Sequence, residues 1–213
     1  MRRLLYIFFV LCLIIGTSLG GIWFVNYLKM NNLLFFATGT KEKAFLNTTW
    51  RMSPKEVERA SGSSLLEMTD DERELDHIVR KVYGPHIMNE NRFQKLKQKN
   101  FSLWGMDAEA EYSFFDNQLY QCLILLKSGR ALMDLHKTIL TALEVRFGVA
   151  QDDKNKDRPD VIYSYKWGSN HESASYWIIQ ENENSYSARI AVEYLPLMSE
   201  IEQVVKDEQH KYF

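Results

Sequence analysis

The N-terminal segment constrains this chain more than any other part of its sequence. Arg2 and Arg3 are followed by a run without a single charged residue, which covers residues 4–28. A helix rises about 1.5 Å per residue, so this run reaches roughly 37 Å and can cross a hydrocarbon core of about 30 Å with some tilt. The sequence therefore predicts a membrane-spanning helix over residues 1–28.

A cleaved signal peptide is the alternative, because Ser18-Leu19-Gly20 offers small residues around a cleavage position. The apolar run continues beyond that position, however, and Trp23 and Tyr27 suit a membrane–water interface. We therefore expect an uncleaved signal anchor. The two N-terminal arginines outweigh the single Lys29 behind the run, so the positive-inside rule predicts a cytoplasmic N-terminus and an extracytoplasmic domain, periplasmic in a Gram-negative bacterium.

Small residues within this segment predict how it packs. Gly16 and Gly20 form a G-x-x-x-G pattern, which lets two membrane helices approach closely. We therefore predict helix packing at these glycines, although the pattern also arises by chance. Cys12 follows large apolar residues rather than the small ones of a lipid-attachment site, and we expect it to be an ordinary residue of the span.

The composition beyond this segment is that of one folded domain. Without Arg2 and Arg3, 24 of the 26 basic residues remain against 28 acidic ones, which leaves a net charge near −4. This balance, without any basic run, argues against nucleic acid as a partner. Cys122 is the single cysteine there, so no intrachain disulfide can form. We predict a juxtamembrane linker over residues 29–48 and an exported domain over residues 49–213.

Capping signals predict the first helices of this domain. Ser53-Pro54-Lys55-Glu56 is a capping box with proline at the first helical position, and Gly62 offers a stop, so a helix is predicted over residues 54–61. A second capping box at residues 69–72 precedes apolar residues at helical spacing and predicts a helix over residues 70–83, with a strand in part of residues 63–83 as the alternative. The charged stretch 89–99 is expected to hold one more short helix.

The later part of the chain has the period-two pattern of strands. Residues 101–115 and 119–127 are predicted to form a hairpin around an Asp116-Asn117 turn, and a helix is predicted over 131–147. Three strands follow, at 161–167, 175–181 and 186–194, with a closing helix after Pro196. This order predicts an α+β fold in which an antiparallel sheet follows the N-terminal transmembrane helix and packs helices on one face.

Several of these motifs carry a resemblance to a known family. The stretch 49–57, TWRMSPKEV, is similar to the W-G-M-S/T-x-x-E-V opening of many exported bacterial domains, with Arg51 at the glycine position. The stretch 114–120, FFDNQLY, is similar to their F-x-x-(N/D)-x-L turn, and Phe147-Gly148 to the end of their second helix. A strand with Trp167 and a strand that ends at Tyr194 follow.

Residues 48–195 therefore resemble the small outer-membrane-assembly lipoproteins (SmpA/OmlA, BamE-like) and the β-lactamase-inhibitor-protein-like folds. The resemblance implies a helix–helix–sheet unit that binds or scaffolds other proteins, in an inhibitor-like or assembly role. It carries no shared catalytic site. A spanning helix stands where those proteins have a lipid-attachment cysteine.

The ionisable residues form no short motif of a catalytic or metal site. The histidines lack H-x-x-x-H and H-E-x-x-H spacing, and neither cysteine lies close to one, so we predict no metal. There is no P-loop and no G-x-G-x-x-G, and we predict no cofactor and no catalytic residue. The histidines are His77, His86, His136, His171 and His210.

Tyrosine and tryptophan are concentrated on the predicted strands, where alternation places them on both faces of the sheet. Aromatic side chains on a face without helices would suit a contact surface, since they combine large area with a polar tip. We predict such a surface, for an envelope protein or peptide, at Tyr163, Tyr165, Trp167 and Trp177. If helices cover both faces, these residues belong to the core instead.

The sequence therefore predicts a membrane-anchored extracytoplasmic module that binds or scaffolds proteins without catalytic activity. One alternative is an envelope enzyme or small-ligand-binding protein with its site between sheet and helices. A second alternative is an accessory subunit that is held in a membrane complex through its transmembrane helix, at Gly16 and Gly20.

Overall fold

A computed structural model describes Ala44 and residues 46–68, 92–153 and 158–209. The predicted spanning helix with Gly16 and Gly20, most of the predicted linker and the predicted helix at 70–83 lie outside these residues. Within the described ranges, no helix combines the length and the apolar character needed to cross a membrane.

The described residues form eight strands and three helices. In chain order these elements are α1 (Pro54–Ser61), β1 (Leu66–Glu67), β2 (Phe93–Leu103), β3 (Met106–Phe115), β4 (Gln118–Ser128), α2 (Ala131–Phe147), β5 (Gln151–Asp152), β6 (Val161–Gly168), β7 (Glu172–Asn182), β8 (Ser185–Tyr194) and α3 (Leu195–Gln209).

All eight strands belong to one antiparallel sheet, in the order β1-β2-β3-β4-β8-β7-β6-β5. The described elements follow the same order twice, namely a helix, a two-residue strand and three long strands. The last strands of the two series, β4 and β8, pair in the middle of the sheet. The two series are therefore joined as one continuous sheet, with α3 added at the end.

The predicted α+β class is wrong, because the described part is mostly β. The main cause is the stretch 89–99, where a short helix was predicted and strand β2 begins at Phe93. Its charges suggested a solvated helix, but Lys97 is buried in the sheet. The carboxylates of Glu109 and Glu111 on β3 stabilise the buried charge, since they lie 2.9 Å and 3.8 Å from its Nζ. Cross-strand ion pairs thus let a lysine-rich stretch join the sheet.

The predicted first hairpin is also wrong at its start. Residues 101–115 do not form one strand, because Trp104 and Gly105 make a turn between β2 and β3. Both adopt left-handed backbone angles, with φ of 54° and 77°, as two-residue hairpin turns require. Tryptophan is not a typical turn residue, which is why no turn was predicted here although Gly105 follows it.

Other local predictions are confirmed. The Glu56 carboxylate accepts hydrogen bonds from the Ser53 N–H at 2.8 Å and the Ser53 hydroxyl at 2.7 Å, and Gly62 ends α1 with a φ of 67°. Asp116 and Asn117 form the β3–β4 turn with positive φ. The helix at 131–147 and the three later strands are present, and the closing helix begins at Leu195.

The core lies between the sheet and two of the helices. Tyr112, Ile124 and Tyr176 are fully buried on one face of the sheet, which we call the front face. They belong to one hydrophobic cluster with Val57 of α1 and several residues of α2, which are Leu132, Ile139, Ala142 and Leu143. The front face is therefore the packed side of the sheet.

The third helix corrects the prediction that all helices lie on one face. Leu197 and Ile201 of α3 form a second cluster with Phe115. Because side chains alternate along a strand, Phe115 points away from the front face that carries Phe114. α3 therefore packs at the Phe115 end of the opposite side, which we call the back face.

The segment that enters the domain is attached to the front side by a buried ion pair. Arg146 of α2 lies 3.2 Å from Glu172 of β7 and donates a hydrogen bond of 2.6 Å to the Ala44 carbonyl. Trp50 donates its indole N–H to Glu172 and stacks on Tyr194 at 5.6 Å. These contacts fix where the N-terminal segment leaves the domain.

Arg51 explains how this segment departs from the motif that it resembles. Its φ of 67° lies in the left-handed region that favours glycine, which is the residue of the resembled motif at this position. The arginine side chain forms a salt bridge with Glu200 of α3 and a hydrogen bond of 2.7 Å with Gln118. These contacts tie the segment to α3 and offset part of the backbone cost.

Candidate functional site

The four aromatic residues predicted as one contact surface lie on two different faces. Tyr165 pairs with Tyr176 across β6 and β7, so Tyr163, Tyr165 and Trp167 alternate onto the front face. Trp177 pairs with Ser164 and therefore lies on the back face. The structure thus brings three of the four together and separates the fourth from them.

The three front-face aromatics become more enclosed along β6. Trp167 is 4% exposed and donates its indole N–H to the Gly148 carbonyl at 2.9 Å, at the end of α2. Tyr165 is half-buried, and Tyr163 is 37% exposed. Most of this group is therefore core, and only Tyr163 offers appreciable surface to a partner.

A buried histidine of α2 completes this aromatic group. His136 stacks on Tyr163 with ring centroids 4.4 Å apart. Its Nδ1 lies 3.3 Å from the Tyr176 hydroxyl and its Nε2 lies 3.5 Å from the Tyr165 hydroxyl. Both ring nitrogens thus face a phenol, so the polar atoms of the cluster satisfy one another.

The electrostatics of this cluster favour uncharged groups. Burial lowers the pKa of His136, and the nearby Lys137 lowers it further. Burial also raises the pKa of the Tyr176 and Tyr165 hydroxyls above the ordinary tyrosine value. A neutral histidine between two protonated tyrosines packs the helix against the sheet.

This cluster predicts an acid-sensitive free energy of unfolding. A histidine whose folded pKa is lowered binds its proton more readily in the unfolded chain, so stability is complete above the unfolded pKa of about 6.5 and falls as the pH drops below it. His136→Phe is expected to remove this part of the pH dependence in urea unfolding of the full chain. The exposed His171→Gln should retain it, and an unchanged profile for His136→Phe would contradict the prediction.

Other chemically reactive groups in the described ranges are enclosed or dispersed. Cys122 is fully buried on the front face, and burial raises the pKa of its thiol well above the ordinary value. Among the described residues, no group of three or more histidine, cysteine, aspartate and glutamate side chains is placed to hold a metal ion.

One row of the back face is a polar ladder across four strands. The Ser113 hydroxyl donates to Gln121 at 3.1 Å, the Gln121 amide donates to Glu193 at 2.8 Å, and the Ser173 hydroxyl donates to the same carboxylate at 2.8 Å. These bonds follow the strand order β3-β4-β8-β7. The polar side chains at this end of the back face therefore form their hydrogen bonds with one another.

The next rows of the back face contain an apolar patch. Four half-buried side chains on the three neighbouring strands β4, β8 and β7 form it, and we call them the back-face patch: Leu123, Leu125, Ala191 and Trp177. Leu123 pairs with Ala191, while Leu125 and Trp177 both pair with Arg189. None of the four belongs to either hydrophobic cluster of the described residues.

Charged residues border this patch. On the β3 side, Glu109 interacts with Lys97 at 2.9 Å and with Lys127 at 3.4 Å. Burial alone would raise the pKa of Glu109, but the two lysines together lower it below its ordinary value. Arg189 is exposed and lies between Leu125 and Trp177 in the register. The patch therefore has an apolar centre, one arginine within it and a charged border.

Sequence reasoning found only one member of this patch. Trp177 was singled out as a strand aromatic, whereas Leu123 and Leu125 lay within a nearly continuous apolar strand, β4. Such a run indicates burial on both faces, so it conceals which residues remain outside the core. The alternation of Arg189 and Ala191 with Ile190 was the available signal for a partly solvated face.

The fold and the back-face patch define the class of this protein. The described residues form a mostly β domain with one eight-stranded antiparallel sheet, which α1 and α2 pack on the front and which carries α3 and an apolar patch on the back. Comparisons with protein-family models, curated proteins and solved structures give no match. The resemblance to the small outer-membrane-assembly lipoproteins therefore stays a prediction.

Proposed function

We propose that this protein is a membrane-anchored, extracytoplasmic module that binds or scaffolds another envelope protein and performs no catalysis. One observation carries the proposal, namely the back-face patch of four apolar side chains that lie outside both hydrophobic clusters of the described residues. An antiparallel sheet with one face packed on the core usually carries polar residues on its other face. A contiguous apolar area there is typical of a protein-interaction site.

The composition of the patch supports a protein partner. Protein interfaces have an apolar centre and a polar rim, and they are enriched in tryptophan and arginine. Trp177 and Arg189 lie side by side within the patch, and Glu109 with its two lysines lies at the border. The polar ladder ends the patch on the side of Gln121 and Glu193.

The membrane attachment in this proposal rests on the sequence. The uncharged run ends at Leu28, and packing of the described residues begins at Ala44. About 15 residues lie between them, and even fully extended they reach no more than roughly 50 Å. The patch would therefore meet partners that are in or near the membrane, and Gly16 and Gly20 would add a helix contact.

A cysteine beside the patch tests the proposal. Ser175 is half-buried on β7 next to Ala191, so Ser175→Cys places a thiol at the edge of the patch and preserves all four patch residues. We expect a hydrophilic maleimide to label this thiol in the purified full chain. In membranes of the native host, a bound partner should slow the labelling by at least tenfold.

Two controls make this test specific. Thr138→Cys lies on the exposed side of α2 and should be labelled equally fast in both preparations. The parent chain, which carries Cys12 and the buried Cys122, gives the background. Equal labelling of Ser175→Cys in both preparations would exclude a partner at the patch, and no labelling of the purified chain would show that the chain itself covers this face.

A further inference from the structure

The charges around the back-face patch identify the kind of segment that it binds, given the proposed function. We propose that the patch takes an apolar protein segment that carries a carboxylate, and that Arg189 receives this carboxylate. The segment is recognised by its leucine-like side chains against the patch and by one aspartate or glutamate opposite the guanidinium.

Arg189 is the cation placed for this role. It is exposed in the middle of β8 on the back face, with Trp177 beside it on β7 and Leu125 beside it on β4. It forms no salt bridge with another residue that the structure describes. The hydrogen bonds from Arg158 at 2.7 and 3.0 Å are the main cause that lowers the pKa of Asp160, and the charge of Arg189 adds only a smaller effect.

The other charged groups near the patch have ion-pair or hydrogen-bond partners of their own. Glu109 interacts with Lys97 and Lys127, and Glu193 accepts hydrogen bonds from Gln121 and Ser173. On β6, Lys166 forms a salt bridge of 2.6 Å with Asp153. Arg189 is therefore the charged side chain at the patch that has neither an ion pair nor a hydrogen bond with another residue the structure describes, although the exported part as a whole is acidic.

This local charge selects the partner chemistry. A guanidinium offers a planar pair of donors that matches a carboxylate, and the pair gains strength when neighbouring apolar groups exclude water. Trp177 and Leu125 would provide that exclusion once a segment covers them. A basic segment would leave Arg189 facing a like charge, and an uncharged apolar segment would leave the guanidinium without a partner as water is removed.

Selection from a random peptide library tests this inference. The full chain in lipid nanodiscs is the target, and empty nanodiscs remove peptides that bind lipid. We expect the selected peptides to combine leucine, isoleucine or phenylalanine with aspartate or glutamate. Arg189→Glu should lower their binding at least tenfold and should instead select peptides with lysine or arginine.

A matched charge reversal and a patch variant complete the design. Arg59→Glu changes an exposed arginine on α1, away from the back face, and should leave the selected peptides unchanged. Trp177→Ala should abolish binding of the same peptides. Circular dichroism of each variant shows whether the fold is retained.

The outcomes separate this inference from the proposed function. Peptides that depend on Trp177 but show no acidic preference, or that ignore Arg189→Glu, would overturn the inference and leave the patch as a binding site. No enriched peptide would also overturn the inference, while the labelling of Ser175→Cys would still decide the proposed function. Peptides that ignore both variants would contradict the inference and the use of this patch together.

Discussion

Replacement of Arg146 by methionine is expected to destabilise the protein by about 3–5 kcal/mol, since it leaves a buried carboxylate without its cation. The Arg146 and Glu172 side chains are only 6% and 12% exposed. Burial lowers the pKa of Arg146, and the Glu172 carboxylate opposes this effect. The same substitution removes the hydrogen bond from Arg146 to the Ala44 carbonyl and loosens the entry segment.

Urea unfolding of the full chain in detergent measures this effect by circular dichroism. Removing both charges, as in Arg146→Met with Glu172→Met, should cost less than the sum of the two single variants, because neither charge is then left alone. Arg158→Met is the matched control, since it breaks an exposed pair with Asp160 and should leave the unfolding midpoint unchanged. A loss for Arg146→Met no larger than that of the control would show that the pair is not buried in solution.

The difference between the two faces of the sheet predicts unequal losses of stability when neighbouring residues are replaced by alanine. Ile124 is fully buried on the front face, so Ile124→Ala should cost about 3 kcal/mol through lost burial and the cavity that remains. Leu125 lies next in the chain but points to the back face, where it is half-buried. Leu125→Ala should cost about 1 kcal/mol, because less apolar area returns to water.

The same unfolding measurement compares the two variants. Both lie on β4 with the same backbone environment and the same introduced residue, so the difference reports the packing of the two faces. Equal and large losses would mean that Leu125 is enclosed by the protein itself. The back-face patch would then be part of the core, and its proposed role in binding would fail.

Local signals in the sequence predicted several elements because short-range chemistry decides them. Ser53 and Glu56 define the start of α1 through hydrogen bonds within one turn, and Asp116-Asn117 adopts the left-handed angles that its residue types favour. The strands β6 to β8 follow from clear alternation. These features need no knowledge of distant residues.

The class of the fold was missed where long-range contacts decide it. Lys97 lies in a strand because Glu109 and Glu111, more than ten residues away, meet it across the sheet. Trp104 occupies a left-handed turn position because the strands on either side of it pair. Neither cause is visible in a local window, so the sheet was predicted too small.

The candidate site shows the same limit. Trp177 was predicted as a contact residue, but the register alone shows that it lies on the opposite face from Tyr163, Tyr165 and Trp167. Arg189 becomes a candidate binding residue only in the folded sheet, because β4 and β7 place Leu125 and Trp177 beside it. The sequence of one strand does not show such a patch, because its residues come from three different strands.

The central claim is that a partner covers the back-face patch in the membrane. The rate of maleimide labelling of Ser175→Cys, measured in native membranes relative to the purified full chain, tests this claim most directly. We predict at least tenfold protection in membranes, with Thr138→Cys unprotected. A ratio near one for both cysteines would contradict it.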